Sequence, residues 1–247
     1  MNEFFLKHGF MTLPNALTGH TRGQLRQDCI LRCLHRCSNN GVADTLAVDL
    51  SNDMHVALIH HAAALLEQQN FPDIRYIAGA IITKYPGEPR RGWHVDWWDW
   101  NSPETQQSVP AQVGVIFYLD RAHYADGGLL AVCGSHRQCV PNHLGCLDSL
   151  EPRRDEVCVP AEIGDAVVID SRLLHAVSAR QTLIETRVAI TLWFMVGWST
   201  LSEQVQSSTM LCMSPGFKKP LGNLYPEYTG TLAPKPHVKI PQFRTLP

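Results

Sequence analysis

The chain has 247 residues, of which 45% are hydrophobic and 18% are charged, and its formal net charge is −2. This composition excludes a low-complexity, disordered chain, and the near-neutral charge argues against a nucleic-acid partner. No run of about 18 apolar residues is present, so the sequence predicts neither a membrane-spanning helix nor a membrane partner. Length and composition favour one large domain spanning residues 1–247.

Cysteine usage and the N-terminus indicate the compartment. Eight cysteines are too few for a disulfide scaffold in a chain of this length, and no two of them are spaced as CxxC. The first residues lack the apolar core of a signal peptide. These features predict a reduced, cytoplasmic protein, and they leave its oligomeric state open.

The first 70 residues are expected to be mostly helical. A short strand and turn at residues 9–17 are followed by a predicted helix that begins with a Thr-x-x-Gln capping box at 21–24 and ends near residue 37. A second helix is predicted over residues 54–69, where Asn and Pro end it.

From residue 71 to residue 198 the sequence predicts a β core. Strands are expected at residues 74–85, 112–119, 129–132, 157–159, 166–169 and 187–196, separated by Gly, Pro and Asp turns. Because no helices lie between them, they favour an antiparallel sandwich or barrel with the two helices covering one sheet. Residues 199–247, rich in Pro and Gly, are expected to form a loop-rich wrap.

Three residues could hold a metal ion. His94 and Asp96 lie two residues apart and would share one face of a strand. His175 follows the predicted strand at 166–169. Two histidines and one carboxylate form the facial triad of non-heme Fe(II) oxygenases, whose open positions accept a chelating 2-oxo acid and O2.

A fourth residue could bind the far carboxylate of that 2-oxo acid. Arg187 opens the last predicted strand, and alternation places Ala189, Thr191 and Trp193 on its face. A guanidinium binds carboxylates bidentately, and the small side chains beside it leave room for a ligand. The opposite face is uniformly large and apolar, as a core requires: Val188, Ile190, Leu192 and Phe194.

Five segments occur in one order along the chain: WHVD at 93–96, YLD at 118–120, GGLLAVCGSH at 127–136, GDAVVIDSRLLHAV at 164–177 and RVAITLWF at 187–194. Together they resemble an Fe(II)/2-oxoglutarate-dependent dioxygenase of the phytanoyl-CoA dioxygenase-like family. The resemblance implies a mainly β fold, a double-stranded β-helix (jelly-roll) with N-terminal helices packed on one sheet. It also implies Fe(II), 2-oxoglutarate and O2 as cofactor and co-substrates, with His94, Asp96 and His175 on iron and Arg187 on the C5 carboxylate of 2-oxoglutarate.

The resemblance extends to residues around this site. Many relatives have Ser or Thr two residues after the arginine; Ala189 stands there, so Thr191 is the possible helper. Lys84 and Arg91 lie where relatives contact the 2-oxo acid or the substrate. Relatives that halogenate carry a small residue in place of the metal-binding carboxylate, so Asp96 disfavours halogenation.

Four of the six tryptophans lie within eight residues, at 93, 97, 98 and 100. Aromatic side chains often line ligand pockets. Trp97 or Trp98 is therefore predicted to enclose an apolar or ring-bearing substrate, and the alternative is plain packing of the loop.

The predicted activity is oxidation, by default hydroxylation, of a C–H bond of a small-molecule substrate with release of succinate and CO2. Desaturation, cyclisation and epoxidation use the same centre and stay open, as does a protein-residue hydroxylase. Two alternatives lie outside the class: a cupin-like metal enzyme, for which the usual HxH pair is absent, and a non-catalytic jelly-roll binding module.

Overall fold

The computed structural model describes residues 1–40, 45–138, 148–211, 213 and 215–228. Five helices are α1 Glu3–His8, α2 Gly19–Asn40, α3 Asp53–Gln68, α4 Glu203–Met210 and α5 Lys218–Leu221. Ten strands are β1 Phe10–Leu13, β2 Thr45–Ala47, β3 Arg75–Lys84, β4 Arg91–His94, β5 Gln112–Tyr118, β6 Leu129–Val132, β7 Glu156–Val159, β8 Ala166–Asp170, β9 His175–Val177 and β10 Arg187–Met195. None of the described helices is long and apolar enough to cross a membrane.

The strands form two antiparallel sheets. Six strands pair in the order β1-β8-β5-β10-β3-β2, and four pair in the order β4-β9-β6-β7. The non-consecutive neighbours are the crossovers of a jelly roll, so the predicted mainly β fold class is confirmed.

Helices α2 and α3 pack on the outer face of the six-stranded sheet. Leu25 of α2 and Ile59 of α3 lie in one buried cluster with the sheet residues Ile190 and Phe194. The predicted apolar face of β10 is therefore the face that the helices cover, and burying it contributes the largest share of the core.

The other face of the six-stranded sheet looks toward the four-stranded sheet. Ala189 of β10 and Tyr118 of β5 lie in a second buried cluster with Leu129 and Ala131 of β6. Alternation then places Arg187, the first residue of β10, between the two sheets.

Several local expectations differ from the structure. Helix α1 and the short strands β4 and β9 were not predicted. Helix α2 begins at Gly19, and the hydroxyl of Thr18 accepts a hydrogen bond from the Thr21 amide, so the predicted capping box is wrong. Part of the expected loop-rich C-terminal wrap is helix α4, whose N-cap is Ser202. Residues 229–247 lie outside the described residues.

Candidate metal centre

Two histidines face each other on neighbouring strands. His94 ends β4 and pairs directly with His175, the first residue of β9. The ring centroids are 4.1 Å apart, with His175 buried and His94 half-buried. Cross-strand partners share one face of a sheet, so both imidazoles point to the same place.

Asp96 lies near these rings for a different structural reason from the predicted one. Strand β4 ends at His94, so the argument that positions 94 and 96 share a strand face is wrong. Instead, the backbone amides of Asp96 and Trp97 both donate to the Ser171 carbonyl oxygen, each at 2.8 Å. This contact ties the segment after β4 to the turn that follows β8.

Ligand atoms of His94, Asp96 and His175 lie within 4.8 Å of one another. The Nδ1–H of His94 donates to the Gly92 carbonyl, and that of His175 donates to the Leu173 carbonyl, both at 2.9 Å. Since a carbonyl only accepts, each neutral ring keeps its Nε2 lone pair for a metal. Two nitrogens and a carboxylate oxygen suit the donor set of a non-heme Fe(II) centre.

Burial keeps the His175 ring in the form that a metal requires. Desolvation, together with the neighbouring His94, lowers the pKa of His175 to about 4. The neutral imidazole is therefore the form present at physiological pH.

A second group also brings ligand atoms within 4.8 Å: Asp28, Cys29 and His55. Here the Asp49 amide donates to His55 Nδ1 at 3.1 Å, so the proton of the neutral ring lies on Nε2, which is 3.1 Å from Asp28 Oδ2. Asp28 also accepts from Arg32 at 2.7 Å. A protonated nitrogen has no lone pair for a metal, so this group is a structural network.

Arg187 is buried between the sheets with 3% of its surface exposed. Its Nε has no hydrogen-bond partner, and within the described part of the chain no carboxylate forms an ion pair with it. The Tyr118 ring lies 5.8 Å from its Cζ. Burial lowers the pKa of Arg187, and the nearby Arg91 lowers it further. Burying a cation without an anionic partner is energetically unfavourable, so this guanidinium is suited to bind an anion.

The two other predicted co-substrate residues lie near this arginine. Thr191 is buried on the same face of β10. Lys84 pairs directly with Arg187 across the sheet; its Nζ donates to the Pro89 carbonyl at 2.6 Å and lies 3.5 Å from Glu88 Oε1. Contact of Thr191 and Lys84 with 2-oxoglutarate stays a prediction.

The predicted substrate residues have distinct surroundings. Arg91 donates to Glu88 Oε1 at 3.0 Å and to the Thr83 carbonyl at 2.7 Å. Trp97 is buried, and its Nε1–H is shared between the Asp99 carbonyl and the Thr105 hydroxyl. These contacts give Arg91 and Trp97 structural roles, and their contact with substrate stays a prediction.

Trp98 differs from Trp97. It is half-buried, its ring lies 5.2 Å from the Trp97 ring, and its Nε1 has no hydrogen-bond partner. Of the two tryptophans, Trp98 is therefore the one with an unused donor.

Sequence reasoning missed two residues that touch the site. Trp193 Nε1–H donates to Asp96 Oδ2 at 2.7 Å, and the Ser171 carbonyl holds the segment around Asp96. The alternation of β10 places Trp193 on the Arg187 face, which is a usable signal. The Ser171 contact joins residues far apart in sequence and has no local signal.

A family model for phytanoyl-CoA dioxygenase matches residues 34–188, more than half of the chain, and this range includes His94, Asp96, His175 and Arg187. No curated protein matches the sequence at a significant level.

Several solved structures are similar in fold. SnoN, a non-heme α-ketoglutarate-dependent epimerase from nogalamycin biosynthesis, is 17% identical with a TM-score of 0.61 and covers 78% of this chain and 80% of its own. HygX from Streptomyces hygroscopicus, solved with nickel and 2-oxoglutarate, is 16% identical with a TM-score of 0.61, covering 77% and 83%. EctD from S. alaskensis is 16% identical with a TM-score of 0.61, covering 81% and 77%.

Proposed function

Since the chain belongs to the phytanoyl-CoA dioxygenase family, and so to the Fe(II)- and 2-oxoglutarate-dependent oxygenases, we propose that it hydroxylates a C–H bond of a small-molecule substrate. The iron ligands in this proposal are His94, Asp96 and His175. The observation that carries it is the fixed tautomer of both histidines, which leaves two Nε2 lone pairs available beside one carboxylate.

The three ligands leave room for the co-substrates. An Fe(II) ion held by these three ligands would keep open positions that the 2-oxo acid and O2 could take. When bound, Fe(II) with 2-oxoglutarate and O2 supplies the oxidising chemistry, with succinate and CO2 as co-products. The protein supplies ligand orientation and a site shielded from water.

Arg187 anchors 2-oxoglutarate in this proposal. Its guanidinium is buried without an ion-pair partner among the described residues, so the C5 carboxylate of 2-oxoglutarate would supply the missing charge. The inner face of β10 between Arg187 and Trp193 carries only Ala189 and Thr191, both small, and Thr191 offers a hydroxyl. A ligand can therefore lie along this face.

Two features support a small-molecule substrate, and a third disfavours halogenation. SnoN acts in the biosynthesis of nogalamycin, and small-molecule chemistry on this fold is therefore precedented. Trp98 has a half-buried ring and a buried indole N–H without a partner, a donor that a bound substrate could use. Asp96 occupies the position that halogenating relatives leave small.

The test is substrate-stimulated release of succinate in air with Fe(II) and 2-oxoglutarate, across a panel of small molecules and short peptides. We expect one small molecule to stimulate turnover and to gain one oxygen atom. His175→Ala should abolish turnover, whereas His61→Ala, which changes an exposed histidine bound to the Ala16 carbonyl, should retain it. A product that lacks the added oxygen, or stimulation by peptides alone, would contradict the proposal.

A further inference from the structure

One part-buried hydrogen bond reaches the Asp96 carboxylate from the opposite sheet. Trp193 of β10 donates its Nε1–H to Asp96 Oδ2 at 2.7 Å, and only 6% of the tryptophan is exposed. No other described side chain donates to this carboxylate. A hydrogen bond to an ionised acceptor is short and about twice as strong as a neutral one, and burial of the tryptophan reduces competition from water.

The two strands beside Trp193 carry small residues opposite its indole. Its partner on β5 is Gly114, and its partner on β3 is Ala78. A Cβ at position 114 would lie 3.5 Å from Trp193 Nε1 and 3.2 Å from Ile169 Cγ1. The indole nitrogen therefore lies over the one position of β5 without a side chain, and a side chain larger than a methyl group there would displace it.

From these contacts we propose that Trp193 is a positioning residue for the metal centre: its indole N–H orients the Asp96 carboxylate toward His94 and His175 and thereby sets metal affinity. This inference rests on the proposed function. The backbone contacts to Ser171 fix where the Asp96 main chain lies, but the carboxylate can still rotate about its own bonds. The Trp193 hydrogen bond removes that rotation, so less entropy is lost when an ion binds.

The test measures Ni(II) affinity by anaerobic calorimetry, with Ni(II) in place of the oxidisable Fe(II). Trp193→Phe removes the hydrogen-bond donor. We expect Ni(II) to bind about 10- to 100-fold more weakly, the range typical for loss of a residue that hydrogen-bonds a metal ligand. Trp198→Phe is the matched control, because Trp198 is also buried but donates its Nε1–H to the Glu227 carbonyl; its affinity should stay at the wild-type value.

A second variant separates the hydrogen bond from packing. Benzothienylalanine at position 193 keeps the shape of the indole but replaces N–H with sulfur, so it decides the question even where Trp193→Phe fails to fold. We expect wild-type thermal stability of the apoprotein with weakened Ni(II) binding. Wild-type affinity in this isostere would overturn the inference.

Ni(II) binding by His94→Ala distinguishes a wrong role for Trp193 from a wrong proposed function. If His94→Ala binds Ni(II) as tightly as the wild type, the metal centre itself is wrongly assigned. If His94→Ala loses binding while the position-193 isostere does not, the centre stands and only the role of Trp193 is wrong.

Discussion

His94 and His175 face each other across the β4–β9 pair, and each donates its Nδ1–H to the carbonyl two residues before it, Gly92 and Leu173. The backbone thus selects the same tautomer twice. Each ring therefore offers its Nε2 lone pair within the group that it forms with Asp96, and the two hydrogen bonds hold the rings in this orientation. Such prior orientation lowers the entropy lost on metal binding.

The contrast between the two His-containing groups predicts one metal site among the described residues. Ni(II) titration should saturate at one equivalent; His55→Ala should leave that stoichiometry unchanged because the proton on its Nε2 excludes ligation. His175→Ala removes a ligand itself. It should therefore weaken Ni(II) binding by more than the roughly 100-fold typical when a residue that hydrogen-bonds a metal ligand is lost. Loss of binding in His55→Ala, with the fold intact by circular dichroism, would contradict the assignment.

The unpaired charge of Arg187 predicts opposite effects on stability and binding. Arg187→Met removes a buried cation, so the free energy of unfolding of the apoprotein should rise by about 1–4 kcal/mol. 2-Oxoglutarate at a hundredfold its Kd should stabilise the metal-loaded wild type by about 2.7 kcal/mol and this variant far less. Urea unfolding with and without the ligand measures both.

Arg121→Met is the control for this comparison, because Arg121 is exposed and paired with Asp126. It should change neither quantity by more than about 0.5 kcal/mol. An Arg187→Met protein that gains as much stability from 2-oxoglutarate as the wild type would show that the co-substrate carboxylate lies elsewhere.

Lys84 predicts a pH dependence of stability. Burial lowers the pKa of Lys84 to about 8, whereas an unfolded lysine titrates near about 10.4. Between these values the unfolded chain binds more protons, so this group makes the free energy of unfolding rise with pH, by at most about 1.4 kcal/mol per pH unit. Below pH of about 8 the destabilisation caused by burying the charged Lys84 is present in full.

Lys84→Met should therefore be stabilised relative to the wild type most near neutral pH, with the difference shrinking from pH of about 8 toward about 10. Urea unfolding across this range measures the difference, and Lys7→Met, at an exposed lysine, should show no such trend. A difference that stays constant with pH would mean that Lys84 titrates normally in the native protein.

Substitutions of the two neighbouring tryptophans should distinguish a packing role from substrate contact. Trp97→Ala empties a buried site and breaks the bonds to Asp99 and Thr105, so it should cost about 3–5 kcal/mol of folding stability. Trp98→Ala should cost less and should raise the KM for substrate with little change in substrate-free turnover of 2-oxoglutarate. Equal losses of stability with an unchanged KM would assign both rings to packing.

Strong local periodicity made β10 predictable. Its alternation placed Val188 and Phe194 against the helices and Arg187 between the sheets, as the structure shows. The helices covering one sheet followed from the same reasoning, because two amphipathic segments need an apolar face to cover.

Elements formed by long-range contacts were not predictable. Strands β4 and β9 have four and three residues and no alternation of their own; they exist because β4 pairs with β9 and β9 also pairs with β6. Asp96 joins the histidines through the Ser171 carbonyl, not through a strand period. Helix α4 was missed because Pro and Gly outweighed its Ser202 cap, although the cap was a local signal.

The most direct test of the account is a visible absorption scan of the protein with Fe(II) and 2-oxoglutarate in the absence of O2. The account predicts a weak charge-transfer band from the chelated co-substrate, absent in His175→Ala and needing higher 2-oxoglutarate concentrations in Arg187→Met. No band from folded, iron-loaded wild-type protein would contradict it.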